Sequence, residues 1–345
     1  MTYALDGIRV VELGDSLSVA FAGRLLRGLG AEVTTARQAP VFGSHPAAIT
    51  LQRYLDSGKR TAPSVDPTDA DIWLDSRPIE QIRADRDRSE RFQDEGGVHV
   101  AVTPFGLDGP WAERKGTGIV ASALGGFLHL CGDENGPPLK NGGYILEFQA
   151  GLFAVLGALA GVFKSQAGRG GTLVDVSLLE SVIAFQERAD FAWTHQGRDW
   201  RRTRRHEVAH PFTIFPCADG FVSIALGTAR HWQHFCVLID RPEWAEDMDL
   251  MLNRHARADE VDAALVPWLA ERSVSEVVQR FQEMFIPCGP VLTASQVLAD
   301  AHLLERRFFR SFVLGGQAFR VPGPPFRSDY AWALDEIEPP VEAAS

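Results

Sequence analysis

Cysteine is scarce in this chain, and its four copies, Cys131, Cys217, Cys236 and Cys288, never fall at CxxC spacing. That excludes the usual zinc and thioredoxin-like patterns and leaves the thiols as reduced packing residues rather than a disulfide framework. Metal-ligand spacings are missing as well, so no metal is expected. The opening Met1-Thr-Tyr-Ala-Leu-Asp-Gly7 lacks the charged-then-apolar pattern of a secretory leader, and a cytoplasmic protein is the expectation. Long apolar runs are absent too. The longest, around Gly151 to Phe163, is rich in Gly and Ala and bounded by Glu147 and Lys164, which reads as a buried helix short of a bilayer span, with no membrane partner. Excess positive charge is also lacking. A formal net charge of −11 disfavours nonspecific binding to nucleic acid, while a local basic patch can still hold an anionic ligand. The dense basic run from Arg198 to Arg205 reads either as such a patch or as a solvated linker. Finally, Leu13-Gly-Asp-Ser-Leu-Ser-Val19 carries no GxGxxG and no GxxxxGK(S/T) occurs, so nicotinamide-dinucleotide and nucleoside-triphosphatase readings have no support.

With 345 residues and 45% apolar content, the chain can bury a sizeable core and make two domains. A β-rich run over 5–13, a helical pattern over 16–30 and a strand from Gly30 to Val33 form a strand–helix–strand order, which argues for a parallel α/β unit. Asp71–Leu74 and Val98–Val102 read as further strands, with an exposed helix and loop from Glu80 to Glu95 between them. From Gly116 to Ala189 the pattern turns to long helices, interrupted by the turn Gly168-Arg-Gly-Gly171 and a strand at Leu173–Val176; Leu178–Phe191 reads as one helix. The polar, basic stretch 194–212 is the linker candidate. Beyond it, Phe212–Pro216 and Phe221–Ala225 flank Ala218-Asp-Gly220, a hairpin signature in which Asp-Gly is expected to supply positive φ. Helices follow over 231–239, 259–271 and 274–285, then the strand-like Gly289–Leu292, and an extended, Pro-rich end from Val321.

Several of these stretches together resemble the family III (CaiB/BaiF) CoA-transferases, the group that includes formyl-CoA transferase, carnitine CoA-transferase and α-methylacyl-CoA racemase. Leu5-Asp-Gly-Ile-Arg-Val-Val-Glu-Leu13, Phe21-Ala-Gly-Arg-Leu-Leu26 and Leu29-Gly-Ala-Glu-Val33 are similar to its first strand, helix and strand. Ser57-Gly-Lys-Arg60 matches its glycine-lysine-arginine motif, and Thr103-Pro-Phe-Gly-Leu-Asp-Gly-Pro110 its Phe-Gly-x-x-Gly-Pro turn. Gly168–Glu180, Pro211–Ala225 and Ile286-Pro-Cys-Gly-Pro-Val291 continue the likeness, which runs from about Leu5 to Arg327. The resemblance implies an α/β fold with a Rossmann-like large domain (1–193), the linker 194–212, a smaller α+β domain (213–290) and a return segment (291–345). It also implies an interlocked homodimer, or a heteromer with a paralogue. Departures are Val19-Ala20 in place of a glycine-proline, no formyl-CoA-transferase-type glycine loop before the second unit, and no carboxy-terminal helix after Pro325.

The family places an aspartate four residues before a helix glycine. Here Tyr144-Ile-Leu-Glu147-Phe-Gln-Ala-Gly151 supplies that segment, which makes Glu147 the matching carboxylate, one methylene longer. The resemblance implies transfer of CoA between an acyl-CoA and a carboxylic acid through an enzyme glutamyl intermediate. Amides of Gln149 to Gly151 are expected to support its charge. The plainer alternative is that Glu147 caps a helix. The racemase branch needs a histidine and an aspartate where Thr117 and Gly118 stand, and neither can abstract a proton, though His129 or His210 could enter from elsewhere. An isomerase and a CoA-binding subunit of low activity remain as alternatives. CoA is the expected substrate-borne cofactor; Lys59 and Arg60, then Arg37 and Arg77, are the candidates for its nucleotide end.

Overall fold

The computed structural model describes residues 2–37, 45–203, 209–248, 251–314, 317–334, 336–337 and 341–342. The chain divides into two compact units: the first holds residues 1–132, 138–200 and 301–345, the second 133–137 and 201–300.

The first unit begins with β1 (Arg9–Leu13), α1 (Leu17–Gly28), β2 (Glu32–Thr35), α2 (Pro46–Asp56), β3 (Arg60–Thr61) and β4 (Ile72–Asp75). It continues through α3 (Ile79–Ala84), α4 (Arg86–Asp94), β5 (Val98–Thr103), α5 (Gly118–Leu124), α6 (Ile145–Gln166), β6 (Thr172–Ser177), α7 (Leu178–Ala184) and α8 (Glu187–Gln196). Strands β4 and β5 are buried at every position, as expected of parallel strands covered on both faces. In sheet order β3, β2, β1, β4, β5 and β6 lie side by side, every neighbour parallel. The order reverses between β1 and β4, and a crevice at the carboxyl ends of strands opens at such a reversal. Ser16 caps α1, its side chain accepting from the Val19 N–H.

Helix α6 is where the sequence reading falls short. It begins before Glu147 and runs past Lys164, so its 22 residues are long and apolar enough to cross a membrane by length and composition, although half of the apolar window is buried. Its small residues have a packing cause. A Cβ added at Gly151 would lie 2.7 Å from the Ser18 carbonyl oxygen of α1, and one at Gly161 2.6 Å from Val98 of β5. The helix expected over 178–191 breaks after Ala184, where the side-chain amide of buried Gln186 donates to the Gly125 carbonyl.

The second unit holds β7 (Phe212–Cys217), β8 (Gly220–Ala225), α9 (Ala229–Leu238), α10 (Trp244–Asp247), α11 (Met251–Ala256), α12 (Ala258–Ala270), α13 (Val274–Glu283), β9 (Cys288–Pro290) and α14 (Ala294–Ala299). Its three-stranded antiparallel sheet β7-β8-β9 packs on Trp232, Phe235, Leu265 and Phe281. The hairpin is present, but its turn is not the expected one. Gly220 is already paired with Cys217 and has no positive φ; the loop is Ala218-Asp219, held by the Val274 N–H donating to Asp219 at 2.7 Å. Of the basic run, Arg204 and Arg205 lie outside the described residues, whereas Arg202 donates to the carbonyls of Asp133 and Gly136 at 3.2 and 3.1 Å, tying 133–136 to this unit. The return to the first unit is α15 (Ala301–Glu305), β10 (Phe309–Leu314), β11 (Gln317–Pro322), β12 (Glu336–Ile337) and β13 (Val341–Glu342). The last of these joins the main sheet beside β3, making it seven-stranded.

Candidate active site

A cavity of about 540 Å³ opens at the carboxyl ends of β1, β4 and β5. Asp15, Ser16 and Ser18 line it from the turn after β1, Ser76 from the turn after β4, and Thr103 and Pro104 from the end of β5. Thr117, Gly118 and Ser122 approach from α5, and Tyr144, Ile145 and Glu147 from the start of α6. The two crests are joined: the Ser76 hydroxyl accepts from the Ser16 N–H at 3.1 Å and donates to the Leu13 carbonyl at 3.4 Å. Gly14 makes that approach feasible. Its φ is +89°, and a Cβ there would stand 2.6 Å from the Ser76 hydroxyl.

Glu147 occupies the third position of α6, whose N-cap is Tyr144. From there a carboxylate can fold back onto the amide of the N-cap residue. It does not do so: among the described residues the half-buried Glu147 carboxylate carries no hydrogen bond, and it lies against Gly118 at the start of α5. The amides of Gln149 to Gly151 are not the donors either. A helix beginning at Ile145, with the Phe148 N–H already donating to the Tyr144 carbonyl, turns those amides back onto carbonyls four residues earlier. The orphan N–H groups belong to the turn before them.

The four cations expected around CoA are dispersed among ion pairs. Lys59 is fully buried; its Nζ donates to Glu12 at 2.6 Å and to the Ala20 carbonyl at 2.8 Å, with Asp56 at 3.5 Å. Arg37 joins the same cluster, donating to Asp56 at 2.7 Å and Glu12 at 3.5 Å; the Gln38–Pro40 stretch after it lies outside the described residues. Burial pushes the Glu12 carboxyl up despite both cations. Burial acts upward on Asp56 as well, but Lys59 and Arg37 outweigh it and hold that carboxyl below its ordinary range. Arg60 is the exposed member, 3.6 Å from Glu32 with 64% of its side chain open. Arg77, next to Ser76, pairs with Asp75 at 2.7 Å and Asp85 at 2.8 Å and keeps 20% of its side chain open.

The other sequence candidates lie elsewhere. His129 is 3.9 Å from Asp199 and lines a different cavity, with Trp193 and Trp200. His210 is fully buried within the second unit, its Nε2 2.8 Å from Asp262. A serine–histidine–aspartate line does occur, Ser89 Oγ at 2.6 Å from His99 Nδ1 and His99 Nε2 at 3.6 Å from Asp75, but all three are buried and the hydroxyl has no route to a substrate. Asp15, Ser122 and Lys140 are among the groups in the main cavity that escaped sequence reasoning. The Lys140 ammonium donates to the carbonyls of Asn141 and Gly143 at 3.1 and 3.2 Å and is the cation among the described residues lining the cavity. The glycines at 142 and 143, immediately before α6, were the signal available for it. Among the described residues no group of three or more His, Cys, Asp or Glu is placed to hold a metal ion.

Known proteins agree with this architecture. Of the solved structures it is similar to, Rv3272 from Mycobacterium tuberculosis superposes with a TM-score of 0.84 at 23% identity, over 99% of this chain and 97% of that one. A CaiB/BaiF family protein from Brucella suis gives 0.81 at 21%, with the same coverage. At such identity these establish the α/β fold alone. Among characterised relatives, succinyl-CoA–D-citramalate CoA-transferase of Chloroflexus aurantiacus is 27% identical, covering 88% of this chain and 82% of its own length. Human succinyl-CoA:glutarate CoA-transferase is 25% identical, covering 97% and 82%. The profile of CoA-transferase family III matches residues 88–341, most of the chain and the whole of the Glu147 segment, and the protein belongs to that family.

Proposed function

We propose that this chain transfers CoA from an acyl-CoA to a carboxylic acid, with Glu147 as the nucleophile. The observation that carries the reading is a carboxylate without a hydrogen-bond partner among the described residues, facing a cavity at the point where the sheet order reverses. An unpaired carboxylate keeps its lone pairs for attack. A Glu147 oxygen adds to the thioester carbonyl carbon, the carbon–sulfur bond breaks, and CoA leaves as thiolate. The thiolate then adds to the Glu147 carbonyl of the mixed anhydride, releasing the donor acid and leaving CoA on the enzyme as a thioester. The acceptor carboxylate repeats the two steps in reverse order, so electrons and protons balance without a further reactant.

The relatives named above act on succinyl-CoA with citramalate or glutarate as partner acid, which makes succinyl-CoA and short dicarboxylates the substrates to try first. Lys140, in the cavity lining, suits a second carboxylate. For the CoA phosphates, Arg60 and Arg77 have open guanidinium surface, while Lys59 and Arg37 would act through the shape of the buried cluster behind β3. The exposed apolar side chains of α6, Leu152, Leu156 and Phe163, support burial against a second copy, as an interlocked homodimer or a heteromer. A cytoplasmic location and a Rossmann-like character of the large unit belong to the same proposal.

The test is chemical. After incubation with succinyl-CoA, hydroxylamine should convert Glu147 to a hydroxamate visible by peptide mass analysis, and Glu147→Gln should lose turnover by about 10³-fold or more while keeping CoA affinity. Turnover without any adduct at Glu147 rejects the covalent route. An isomerase reading draws on Asp15 as a second acid in the cavity; solvent deuterium entering the α-carbon with no acceptor acid present would favour it.

A further inference from the structure

We infer that Gly118 is a positioning residue for Glu147, its missing side chain being the space that the longer acid fills; the inference rests on the reading of Glu147 as the nucleophile. A Cβ built at Gly118 would lie 2.1 Å from Oε1, 2.5 Å from Cδ and 2.8 Å from Oε2 of Glu147. All three atoms of the carboxylate therefore crowd the one direction in which any L side chain at 118 must project. Backbone geometry gives no other reason for glycine. Gly118 has no positive φ and opens α5 behind Thr117, so the backbone there accepts any L residue.

The fold seats a second glutamate in the same way, and the comparison separates structure from function. A Cβ at Gly23 would lie 1.6 Å from Oε1 of Glu12. That carboxylate is fully buried and bound by Lys59 at 2.6 Å, as a structural acid must be. The Glu147 carboxylate also lies in the Cβ direction of a glycine, but it has no cation and no hydrogen bond among the described residues, and it opens on the cavity. A seat without an ion pair restrains position while leaving the charge available. Glu147 and Gly118 are thus a matched pair, in which the glutamate carboxylate takes the space that any L side chain at 118 would need.

The experiment is a cycle of Gly118→Ala and Glu147→Asp, read in two ways. In succinyl-CoA transfer, Gly118→Ala beside the native Glu147 should lower kcat roughly 10- to 100-fold with KM for the acyl-CoA unchanged, whereas in the Glu147→Asp background it should change kcat less than about threefold. In thermal unfolding, the Tm shift on Gly118→Ala should be less favourable with glutamate at 147 than with aspartate, by roughly 1–2 °C, because only the glutamate carboxylate must move aside. Equal fold-losses in both backgrounds, or equal Tm shifts in both, would overturn the pairing. Should the wild-type protein transfer no CoA, the catalytic reading fails while the thermal cycle still decides whether Gly118 seats the acid.

Discussion

At the scale of single residues, charge placement separates the carboxylates by role. Asp75 is buried at the end of β4, where burial alone would raise its pKa, but the neighbouring His99 and the Arg77 guanidinium hold it below the ordinary aspartate range. Below about pH 4 the unfolded chain then binds the Asp75 proton more readily than the folded one, so this contribution is complete above that pH and lost as pH falls through the folded value. The unfolding midpoint should drop on acidification from about pH 5 to about pH 3, and Asp75→Asn should flatten that slope as followed by denaturant titration. Lys59 gives a larger effect. Replacing it with methionine leaves Glu12 buried without its nearest cation, and a loss of about 3–5 kcal/mol is expected, partly restored by a further Glu12→Gln change. Ser122 points the other way: its hydroxyl is buried beside the cavity and has no partner among the described residues. Ser122→Ala should raise stability by about 1 kcal/mol in unfolding titrations, and a few-fold weaker acyl-CoA binding would assign the hydroxyl to the bound thioester.

At the scale of elements, the site depends on how closely α6 crosses α1. Gly151 meets the Ser18 carbonyl at the crossing, and Ser16 and Ser18 of that same region line the cavity. Gly151→Ala adds a methyl group facing backbone rather than a yielding side chain, so the helices must separate. The expected cost is about 1–3 kcal/mol, less the helix-propensity gain of roughly 1, with the mouth of the cavity widening in a crystal structure of the variant. The small residues that made α6 look merely buried in the sequence are therefore what lets its first turn carry Glu147 to the carboxyl ends of the strands.

At the scale of the whole molecule, apolar surface remains to be accounted for. Leu156 and Phe163 of α6 are 63% and 72% exposed, which is unusual for large side chains on a helix whose other face is core. If a second copy covers them, Leu156→Glu with Phe163→Glu should convert the assembled protein to monomers in sedimentation velocity while each monomer keeps its secondary structure. Unchanged sedimentation would place the partner surface elsewhere.

Strand–helix alternation and the two strands of the hairpin at 212–225 were legible in the amino-acid order, because apolar period is a local property; Glu147 was named only through the family resemblance. What α6 packs against was not legible, since Gly151 and Gly161 are explained by contacts from residues more than 60 positions away. The cations show the same divide. Lys59 and Arg37 read from the chain as phosphate ligands, yet in the fold their nearest charges are Glu12 and Asp56. A sequence states which charges exist; only the packed structure decides which of them are left with water or a substrate to face, because ion pairing depends on distance through space.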